Sequence, residues 1–412
     1  MYRRNITTAF KAALGDSPVV LLVGARQVGK STLVQSLAGE GRGAAQYLTL
    51  DDPTVLAAAR GNPSGFVDGL PVPVIIDEIQ RAPELLVPIK LAVDQRREPG
   101  SFILTGSANV LTLPTVSESL AGRMEVLTLR PLSQGEISGQ QETFIKRLFA
   151  GEFKLPKKPP PEESAALFAR MMTGGYPEVV ARQTQARRQA WFKSYITTIL
   201  QRDIRDLANI EGLVDLPRLL SLLAARAGGL LNFAEVSRSI GFAQTTLKRY
   251  FALLEMTFLI ETLPAWSGSR TKQLVKAPKL FLSDTGLLSY LQGLTWERLQ
   301  LDPTLAGALA ENFVVLELRK QATWSETRVE LFHFRTNTDQ EVDIVIENEA
   351  GEIVGVEVKA SASVGANDFK GLRALKQTVG KKFRRGIVVY VGKESVPFGD
   401  ELYAVPIQAV WL

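Results

Sequence analysis

The sequence contains no cysteine and a single histidine, His333, among its 412 residues. The lack of cysteine excludes disulfides, thiolate zinc sites, iron–sulfur clusters and cysteine nucleophiles. One histidine cannot form a multi-histidine metal site, so any metal ion needs oxygen ligands. Because His333 lies between two phenylalanines, we expect a packed side chain without a catalytic role. A disulfide-free chain of this size suits a reducing compartment, and we expect a cytoplasmic protein.

Long apolar runs are also missing. Glu255 and Glu261 interrupt one apolar region, and Arg218 and Arg226 interrupt another, so no stretch approaches the roughly 18 residues of a membrane span. We therefore expect no membrane partner. The hydrophobic content of 45% and charged content of 22% are those of a globular chain rather than a disordered one. The length predicts two or three domains.

The N-terminal third has the pattern of alternating strands and helices. Its short β-branched runs predict strands that are buried on both faces of a parallel sheet. The predicted strands are Val19–Val23, Val74–Ile76 and Phe102–Leu104, and the predicted helices include Ser31–Leu37 and Glu84–Gln95. This order predicts a doubly wound α/β domain.

The remaining chain divides into three further regions. The segment 154–163 is rich in proline and charge, which favours an exposed connector. Residues 164–290 are mostly helical by pattern, and 233–250 predicts a helix-turn-helix with Gly241 at the turn, consistent with a winged helix. From about residue 305 a long helix, 305–320, precedes several strands with an inserted basic helix. The predicted strands are 329–334, 342–347, 353–359 and 387–391.

We predict four domains from these patterns. They are an ATPase-like domain at 1–150, a helical lid and connector at 151–210, a winged-helix DNA-binding domain at 211–290 and a separate α/β module at 291–412.

A phosphate-binding motif follows the first predicted strand. Residues Gly24–Ser31 match G-x-x-x-x-G-K-[ST] between a strand and a helix, the context that the motif requires. The glycines let the backbone wrap the phosphates, Lys30 reaches the β- and γ-phosphates, and Ser31 is a Mg²⁺ ligand. The predicted nucleotide-binding residues are Gly24, Ala25, Arg26, Gln27, Val28, Gly29, Lys30, Ser31 and Thr32.

Two acids end the strand at 74–76. Asp77 is expected to hold the Mg²⁺ ion, and Glu78 is expected to orient the attacking water. As an alternative, the pair could be ordinary helix-capping acids. Ser107 follows the strand at 102–104, where a polar side chain could contact the γ-phosphate or the water, although simple turn chemistry also explains it.

Arg123 follows a glycine at the far side of this domain. It is a candidate arginine finger that acts on the nucleotide of a neighbouring subunit. The alternative is an arginine in a surface salt bridge.

The order of these motifs resembles that of AAA+-type ATPases over residues 15–135. It is similar to a large prokaryotic family of AAA-type ATPases with an uncharacterised C-terminal half, which has blocks like those at 174–178, 279–286, 310–312 and 341–343. The resemblance implies an ATPase core with ATP and Mg²⁺, a winged helix and a nuclease-like terminal domain. The sequence departs from the pattern because it has no persuasive second lid arginine.

Acidic residues and a lysine recur in the C-terminal strands. Glu357 and Lys359 lie on one face of a strand by period-two alternation, and Asp343 lies in the preceding strand. With Glu311 from the long helix, these residues form the set that a metal-dependent phosphodiesterase needs. Asp343 and Glu357 would bind Mg²⁺, and Lys359 would position water or stabilise charge. The pattern resembles the PD-(D/E)XK nuclease superfamily, which implies a restriction-endonuclease-like fold; an ordinary solvated strand is the alternative.

Basic residues cluster in two segments that lack acids. One precedes residue 280 and would form the wing, and the other follows the predicted nuclease-like strands. Their expected nucleic-acid contacts are Arg270, Lys272, Lys276, Lys370, Arg373, Lys381, Lys382, Arg384 and Arg385. We expect the second cluster to be adjacent to the candidate phosphodiesterase site, which points to a polyanion partner, and to DNA in preference to RNA.

Two functions are consistent with these patterns. The first is a homo-oligomeric ATPase, in a ring or another assembly, that remodels duplex or branched DNA and either binds or also cuts it with its C-terminal domain. The second is a nucleotide-dependent switch in defence or toxin control whose C-terminal domain only binds partners.

Overall fold

The chain folds as two units of different architecture. A computed structural model describes residues 2–37, 45–108, 120, 122–155, 162–205, 215–268, 276–336, 338, 340–399 and 401–412. The first unit comprises Arg3–Leu132 with Met256–Phe258, and the second comprises Ser133–Glu255 with Leu259–Leu412. None of the helices within these described ranges is long and apolar enough to cross a membrane.

The first unit alternates strands with helices. Its elements are α1 (Thr7–Asp16), β1 (Val19–Val23), α2 (Lys30–Leu37), β2 (Gln46–Thr49), α3 (Pro53–Gly61), α4 (Pro63–Asp68), β3 (Val74–Asp77), α5 (Leu86–Gln95), β4 (Phe102–Gly106) and β5 (Met124–Thr128). Two short 3₁₀ helices, Ile79–Arg81 and Pro83–Leu85, connect β3 to α5.

The five strands within the described residues of the first unit are parallel, in the spatial order β2-β3-β4-β1-β5. Strand β1 lies between β4 and β5, with Val19 opposite both Phe102 and Met124. Strands β1, β3 and β4 are buried throughout, which explains their continuous apolar sequences. The predicted parallel sheet is confirmed. Strands β2 and β5 were not predicted, because they are only partly buried and less uniformly apolar.

The second unit begins with helices. They are α6 (Gln134–Ser138), α7 (Phe144–Phe149), α8 (Ser164–Thr173), α9 (Pro177–Val180), α10 (Gln185–Thr198), α11 (Leu216–Ala224), α12 (Phe233–Ile240) and α13 (Gln244–Met256). Helix α10 continues into a π-helix at Ile199–Asp203.

Helices α12 and α13 form the predicted pair around Gly241. The Asn232 side chain caps α12 by accepting hydrogen bonds from the amides of Ala234 and Glu235. Gly241 ends α12 with a φ of 82°, a conformation that favours glycine. An antiparallel pair follows, β6 (Ile260–Leu263) and β7 (Lys279–Leu282). The structure therefore has two helices around Gly241 and an antiparallel pair after them, and the winged helix stays a prediction.

Three sequence blocks of the second unit contact each other around β7. The Asp284 carboxylate accepts a hydrogen bond from the Gly175 amide, and a side chain at Gly174 would collide with Asp284. The Asn312 side chain binds both backbone groups of Leu282, at 3.0 Å from its N–H and 2.9 Å from its C=O. These contacts explain the presence of glycine, aspartate and asparagine at these positions of three separate sequence blocks.

The C-terminal part of the second unit contains a mixed sheet. Its elements are α14 (Thr285–Gln292), α15 (Trp296–Leu301), α16 (Pro303–Ala322), β8 (Val329–Arg335), β9 (Glu341–Asn348), β10 (Ile353–Lys359), α17 (Lys370–Val379), β11 (Phe383–Tyr390), β12 (Val396–Pro397) and β13 (Leu402–Pro406). The strand order is β12-β13-β11-β10-β9-β8, with β10, β11 and β13 parallel and the other pairs antiparallel. Residues of β9, β10, β11 and α17 share one apolar core.

The boundary of the first unit differs from the predicted 1–150 domain. The segment after Leu132 belongs to the second unit because its amides bind carboxylates there. The Gln134 amide is 2.9 Å from Glu317, and the Gly135 amide is 2.8 Å from Glu142. Burial raises the pKa of Glu142 to about 7. The predicted connector at 154–163 lies largely outside the described residues.

His333 is packed, as expected. It is 2% exposed, and its Nε2 lies 3.1 Å from the Ala277 carbonyl oxygen. Burial lowers the pKa of His333 to about 4, so the ring is neutral at physiological pH.

Candidate functional site

The phosphate loop of the first unit begins where β1 ends. Gly24 has a φ of 155° and approaches the backbone of Leu129 so closely that a Cβ atom would collide with the Leu129 carbonyl oxygen. The Leu129 amide in turn donates to the carbonyl of Val23 at 2.8 Å. Glycine is therefore required at the start of the loop because the backbone at Leu129 leaves no room for a side chain, and because of the loop conformation.

Lys30 and Arg4 both bind the carbonyl groups of this loop. The Lys30 Nζ is buried and lies 2.9 Å from the Gly24 oxygen and 3.0 Å from the Ala25 oxygen. The Arg4 Nη1 donates to Val28 at 2.8 Å, and its Nη2 donates to Arg130 at 2.6 Å. Arg4 was missed by sequence reasoning, because it lies before the first predicted element and outside any motif.

The Asp77 carboxylate at the end of β3 is surrounded by hydroxyl groups. Ser31 Oγ lies 3.0 and 3.1 Å from its two oxygens, Tyr47 donates from its hydroxyl at 2.6 Å, and Thr105 also donates to it. Burial, together with the hydrogen bond to Asp77 and the charge of that carboxylate, raises the pKa of Tyr47 to about 12. The structure thus brings Ser31 and Asp77 together, as predicted, and adds Tyr47 and Thr105.

Glu78 and Ser107 are joined through Gln80. Glu78 has a φ of 62°, an uncommon conformation for a side chain other than glycine. Gln80 Nε2 donates to the Glu78 carboxylate and, at 2.8 Å, to Ser107 Oγ. The two predicted residues therefore lie at one end of the sheet, and Gln80 was missed because no motif marks it.

Arg123 lies at the opposite end of this sheet. It directly precedes β5, and its carbonyl accepts from the Val19 amide at the start of β1, whereas the phosphate loop follows the end of β1. Its guanidinium forms an ion pair with Asp94, with Nη2 3.1 Å from Oδ2. This hydrogen bond lowers the pKa of Asp94. Within its own chain, Arg123 is therefore remote from the phosphate loop and forms the salt bridge that was its alternative role.

The second unit assembles the predicted carboxylates around an unexpected lysine. Lys279 Nζ lies 2.7 Å from Glu311 Oε1, 2.5 Å from Glu341 Oε1 and 3.1 Å from Asp343 Oδ1. The other oxygen of Asp343 accepts from the Val358 amide at 3.0 Å. We call Lys279, Glu311, Glu341, Asp343, Glu357 and Lys359 the carboxylate cluster.

The remaining pair of the carboxylate cluster is Glu357 with Lys359, whose Nζ lies 3.0 Å from Glu357 Oε1. Burial, and next the charge of Asp343, raises the pKa of Glu311 and of Glu357 to about 8. Burial disfavours the charge of Lys279, but Asp343, Glu311 and Glu341 outweigh it and raise the pKa of Lys279. Glu311, Asp343, Glu357 and Lys359 are thus brought together as predicted, but with Lys279 among them.

The basic residues are distributed differently from the prediction. Residue pairing between β10 and β11 sets Ile353 beside Phe383 and Lys359 beside Tyr390. Lys381 and Lys382, which directly precede β11, are therefore at the opposite end of these strands from Lys359, and the expectation that they adjoin the acidic site is wrong.

The individual cations also differ in exposure. Lys276, Lys370, Arg373, Lys381 and Lys382 are exposed. Arg384 is partly buried and binds the carbonyls of Ala150 and Gly151. Arg385 is 1% exposed and donates to Ala150, so its predicted contact with nucleic acid is wrong because solvent cannot reach it. Arg270 and Lys272 lie outside the described residues.

Comparison with known families identifies the class of the first unit. Residues 16–138 match an AAA domain, residues 164–298 match the domain of unknown function DUF8612, and residues 306–410 match the domain of unknown function DUF4143. With the phosphate loop described above, the AAA match identifies residues 16–138 as an AAA-type P-loop ATPase domain.

The family is defined by a relative of similar length. The chain is 31% identical over 408 residues to the uncharacterized protein Rv2008c of Mycobacterium tuberculosis, covering 98% of this chain and 83% of the relative. The uncharacterized protein Mb2031c of Mycobacterium bovis has the same identity and coverage. The chain belongs to the family of these proteins.

Solved structures with detectable similarity are more distant. One is the Walker-type ATPase PABY2304 of Pyrococcus abyssi, with 17% identity, a TM-score of 0.43 and coverage of 71% of this chain and 96% of that chain. Another is RuvB R170A of Thermotoga maritima, with 20% identity, a TM-score of 0.31 and coverage of 66% and 93%.

The close approach at Gly24 makes a prediction about nucleotide binding. Gly24→Ala is expected to displace the loop from Leu129 and to reduce the affinity for a fluorescent ATP analogue by at least about tenfold, because the loop amides lose their arrangement around the phosphates. Gly15→Ala is the matched control, since no atom lies within 4 Å of a Cβ at that position. Equal affinities for the two variants would contradict the role of this contact.

Proposed function

We propose that this chain hydrolyses ATP with Mg²⁺ and uses the reaction to act on DNA. The observation that carries the ATPase proposal is the Ser31 hydroxyl 3.0 and 3.1 Å from the Asp77 carboxylate oxygens, directly after the phosphate loop. A hydroxyl and a carboxylate are the oxygen ligands that suit Mg²⁺, so the residues present fit this ion. Bound Mg²⁺ would neutralise charge on the phosphates.

The residues of the loop have separate roles in this proposal. The amides of Gly24–Ser31 and of Thr32 bind phosphate oxygens at the N-terminus of α2. Lys30, which binds loop carbonyls in the structure, binds the β- and γ-phosphates instead. Ser31 and Asp77 hold Mg²⁺. Tyr47 and Thr105 fix the orientation of the Asp77 carboxylate by their hydrogen bonds.

Glu78 is the proposed group that orients the attacking water. Its carboxylate lies one residue beyond Asp77, and its hydrogen bond to Gln80 connects it to Ser107. Ser107 follows β4, the strand between β3 and β1 in the sheet, which supports its proposed contact with the γ-phosphate.

The ATPase roles predict two distinct losses. Lys30→Ala should reduce ATP affinity roughly 10- to 100-fold, because a charge-assisted hydrogen bond contributes about 1.5–3 kcal/mol. Glu78→Gln should keep ATP affinity and slow hydrolysis by a factor of about 10² or more, because only the orientation of water is lost. Binding and phosphate release are measured separately, with exposed Glu98→Gln as the control. Hydrolysis by Glu78→Gln at the wild-type rate would remove Glu78 from this role.

The position of Arg123 supports action between subunits. Arg123 lies beside the start of β1, and the phosphate loop follows the end of β1. The five residues of β1, or about 16 Å of extended chain, therefore separate the two. Because a closed oligomer can bring this end of one chain to the nucleotide of the next, we propose a homo-oligomer in which Arg123 leaves Asp94 and stabilises charge on the neighbouring γ-phosphate.

Action between subunits predicts complementation. Lys30→Ala and Arg123→Ala chains, each nearly inactive alone, should recover several-fold more ATPase activity when mixed under subunit exchange, because some interfaces then combine an intact loop with an intact arginine. A mixture of Lys30→Ala and Glu78→Gln is the control, since no site in it is complete. Equal activity in the two mixtures would argue that Arg123 serves its own chain or none.

The DNA proposal is supported by two features of the second unit. Helices α11, α12 and α13 followed by the β6–β7 pair have the element order of a winged helix, and the exposed residues of α13 include Lys248 and Arg249. The C-terminal sheet adds a basic surface, which we define as exposed Lys370, Arg373, Lys381 and Lys382. We propose duplex or branched DNA as the ligand, and metal-dependent cutting is not part of this proposal because of Lys279.

The basic surface makes a prediction about salt dependence. Lys381→Ala with Lys382→Ala should weaken DNA binding for all sequences and reduce the slope of log affinity against log salt by about one to two units. The control removes two charges elsewhere in the unit, Lys146→Ala with Lys393→Ala. Lys146 pairs with Glu326 at 2.7 Å, and Lys393 follows the other end of β11. A slope reduced equally in both variants would exclude a specific contact.

A nucleotide-dependent switch remains the second candidate function. Lys279 favours this candidate. Because its ammonium group balances charge of the carboxylates in the C-terminal site, that site is suited to binding partners rather than to cutting DNA. Stimulation of ATP hydrolysis by forked or four-way DNA would favour remodelling, whereas ATPase activity that is indifferent to DNA would favour the switch.

A further inference from the structure

The resemblance to nucleases implies a divalent ion at Asp343 and Glu357, and the residues present do not fit one. Lys279 Nζ has three hydrogens to donate, and it has three carboxylate oxygens at 2.5–3.1 Å, from Glu311, Glu341 and Asp343. A divalent ion would need these same oxygens as ligands. Among the residues that the structure describes, no group of three acids or histidines is arranged to hold a metal ion.

The backbone holds Lys279 in this position. Lys279 is 2% exposed and lies in β7, paired with Leu263 of β6 and bridged to Leu230 on its other side. Next to it, the Leu280 carbonyl accepts from the Gly228 amide at 2.7 Å. Pairing on both sides thus fixes the backbone of Lys279, and its side chain is enclosed beside the acids.

The other acids of the carboxylate cluster are committed as well. The second oxygen of Asp343 binds the Val358 amide, and Glu357 Oε1 binds Lys359. Glu357 Oε2 is buried and has no hydrogen-bond partner within the described part of the chain. One oxygen of Asp343 and one of Glu357 are therefore already bound, to an amide and to an ammonium respectively.

We infer that Lys279 is a tethered cation that replaces a divalent metal in the carboxylate cluster. The cluster therefore joins β7 to α16 and β9 through charge, and it does not cleave DNA. The inference is independent of the proposed ATPase and DNA-binding functions, since neither involves these acids.

Removing the ammonium should convert the cluster into a metal site. In Lys279→Met, the four carboxylates retain only Lys359 as a counter-charge, so one additional Mn²⁺ per chain is expected to bind. Binding is measured by electron paramagnetic resonance of free Mn²⁺ in full-length chains that all carry Asp77→Asn, which removes the proposed metal ligand of the ATP site. The unmodified cluster is expected to bind none.

Two further variants make the outcome decisive. Lys279→Met with Glu311→Gln restores the original charge balance and should bind no additional Mn²⁺. In a chain that keeps Lys279, Asp343→Asn should leave Mn²⁺ binding unchanged. This comparison does not depend on a variant at Lys279, which could fail to fold.

Three results would overturn the inference. The first is binding of Mn²⁺ by a chain that keeps Lys279, with loss of that binding in Asp343→Asn. The second is Mn²⁺-dependent cutting of duplex or forked DNA that Asp343→Asn abolishes. The third is a folded Lys279→Met chain that binds no additional Mn²⁺. All three results concern only the acids of the carboxylate cluster, so they can occur whether or not the proposed ATPase and DNA-binding functions are correct.

Discussion

The burial of the Lys279 ammonium among three carboxylates is the interaction on which this part of the second unit depends. Isolated burial of such a charge is too costly for a folded chain, so Glu311, Glu341 and Asp343 must meet at Lys279. Their meeting fixes β7 against α16 and β9. The Asn312 side chain accepts from the Leu282 N–H and donates to the Leu282 C=O, which holds the same strand three residues further along.

The two acidic sites of the chain differ in how their charge is balanced. Asp77 is bound by the hydroxyls of Ser31, Tyr47 and Thr105, which orient the carboxylate but leave its negative charge in place. The carboxylate cluster instead contains two ammonium groups. A metal cation is therefore attracted to the first site, whereas in the second the ammonium groups already take its place. Counting acids alone would rank the two sites in the reverse order.

Sequence reasoning was most successful where a short pattern defines both the structure and the chemistry. Strand β1 and the motif Gly24–Ser31 were predicted because buried parallel strands and phosphate loops have local signatures. Lys279 instead ends the basic segment before residue 280 that was predicted to form the wing, and a lysine among other cations gives no sign of burial. Its environment is set by helix α16 and strand β9, far along the chain, and no local pattern records such contacts.

The same limit explains the other errors. Arg385 belongs to a basic run and is nevertheless buried against Ala150. Lys381 and Lys382 are near the acidic strands in sequence but at their opposite end, because α17 returns the chain along the sheet before β11 begins. Tyr47 and Arg4 reach the nucleotide site from elements without motifs. In each case the decisive fact is a pairing between distant segments, which hydrophobic periodicity cannot provide.

Strand β5 has a different neighbour at each of its ends. Arg123 precedes it, and Leu129, whose carbonyl limits the space at Gly24, follows it. If Arg123 serves the adjacent subunit as proposed, this one strand spans from the phosphate loop of its own chain to the active site of the next. In a closed ring, each β5 strand would then connect two neighbouring nucleotide sites. A shift of the chain at one nucleotide would displace the arginine at the next site without any separate signalling element.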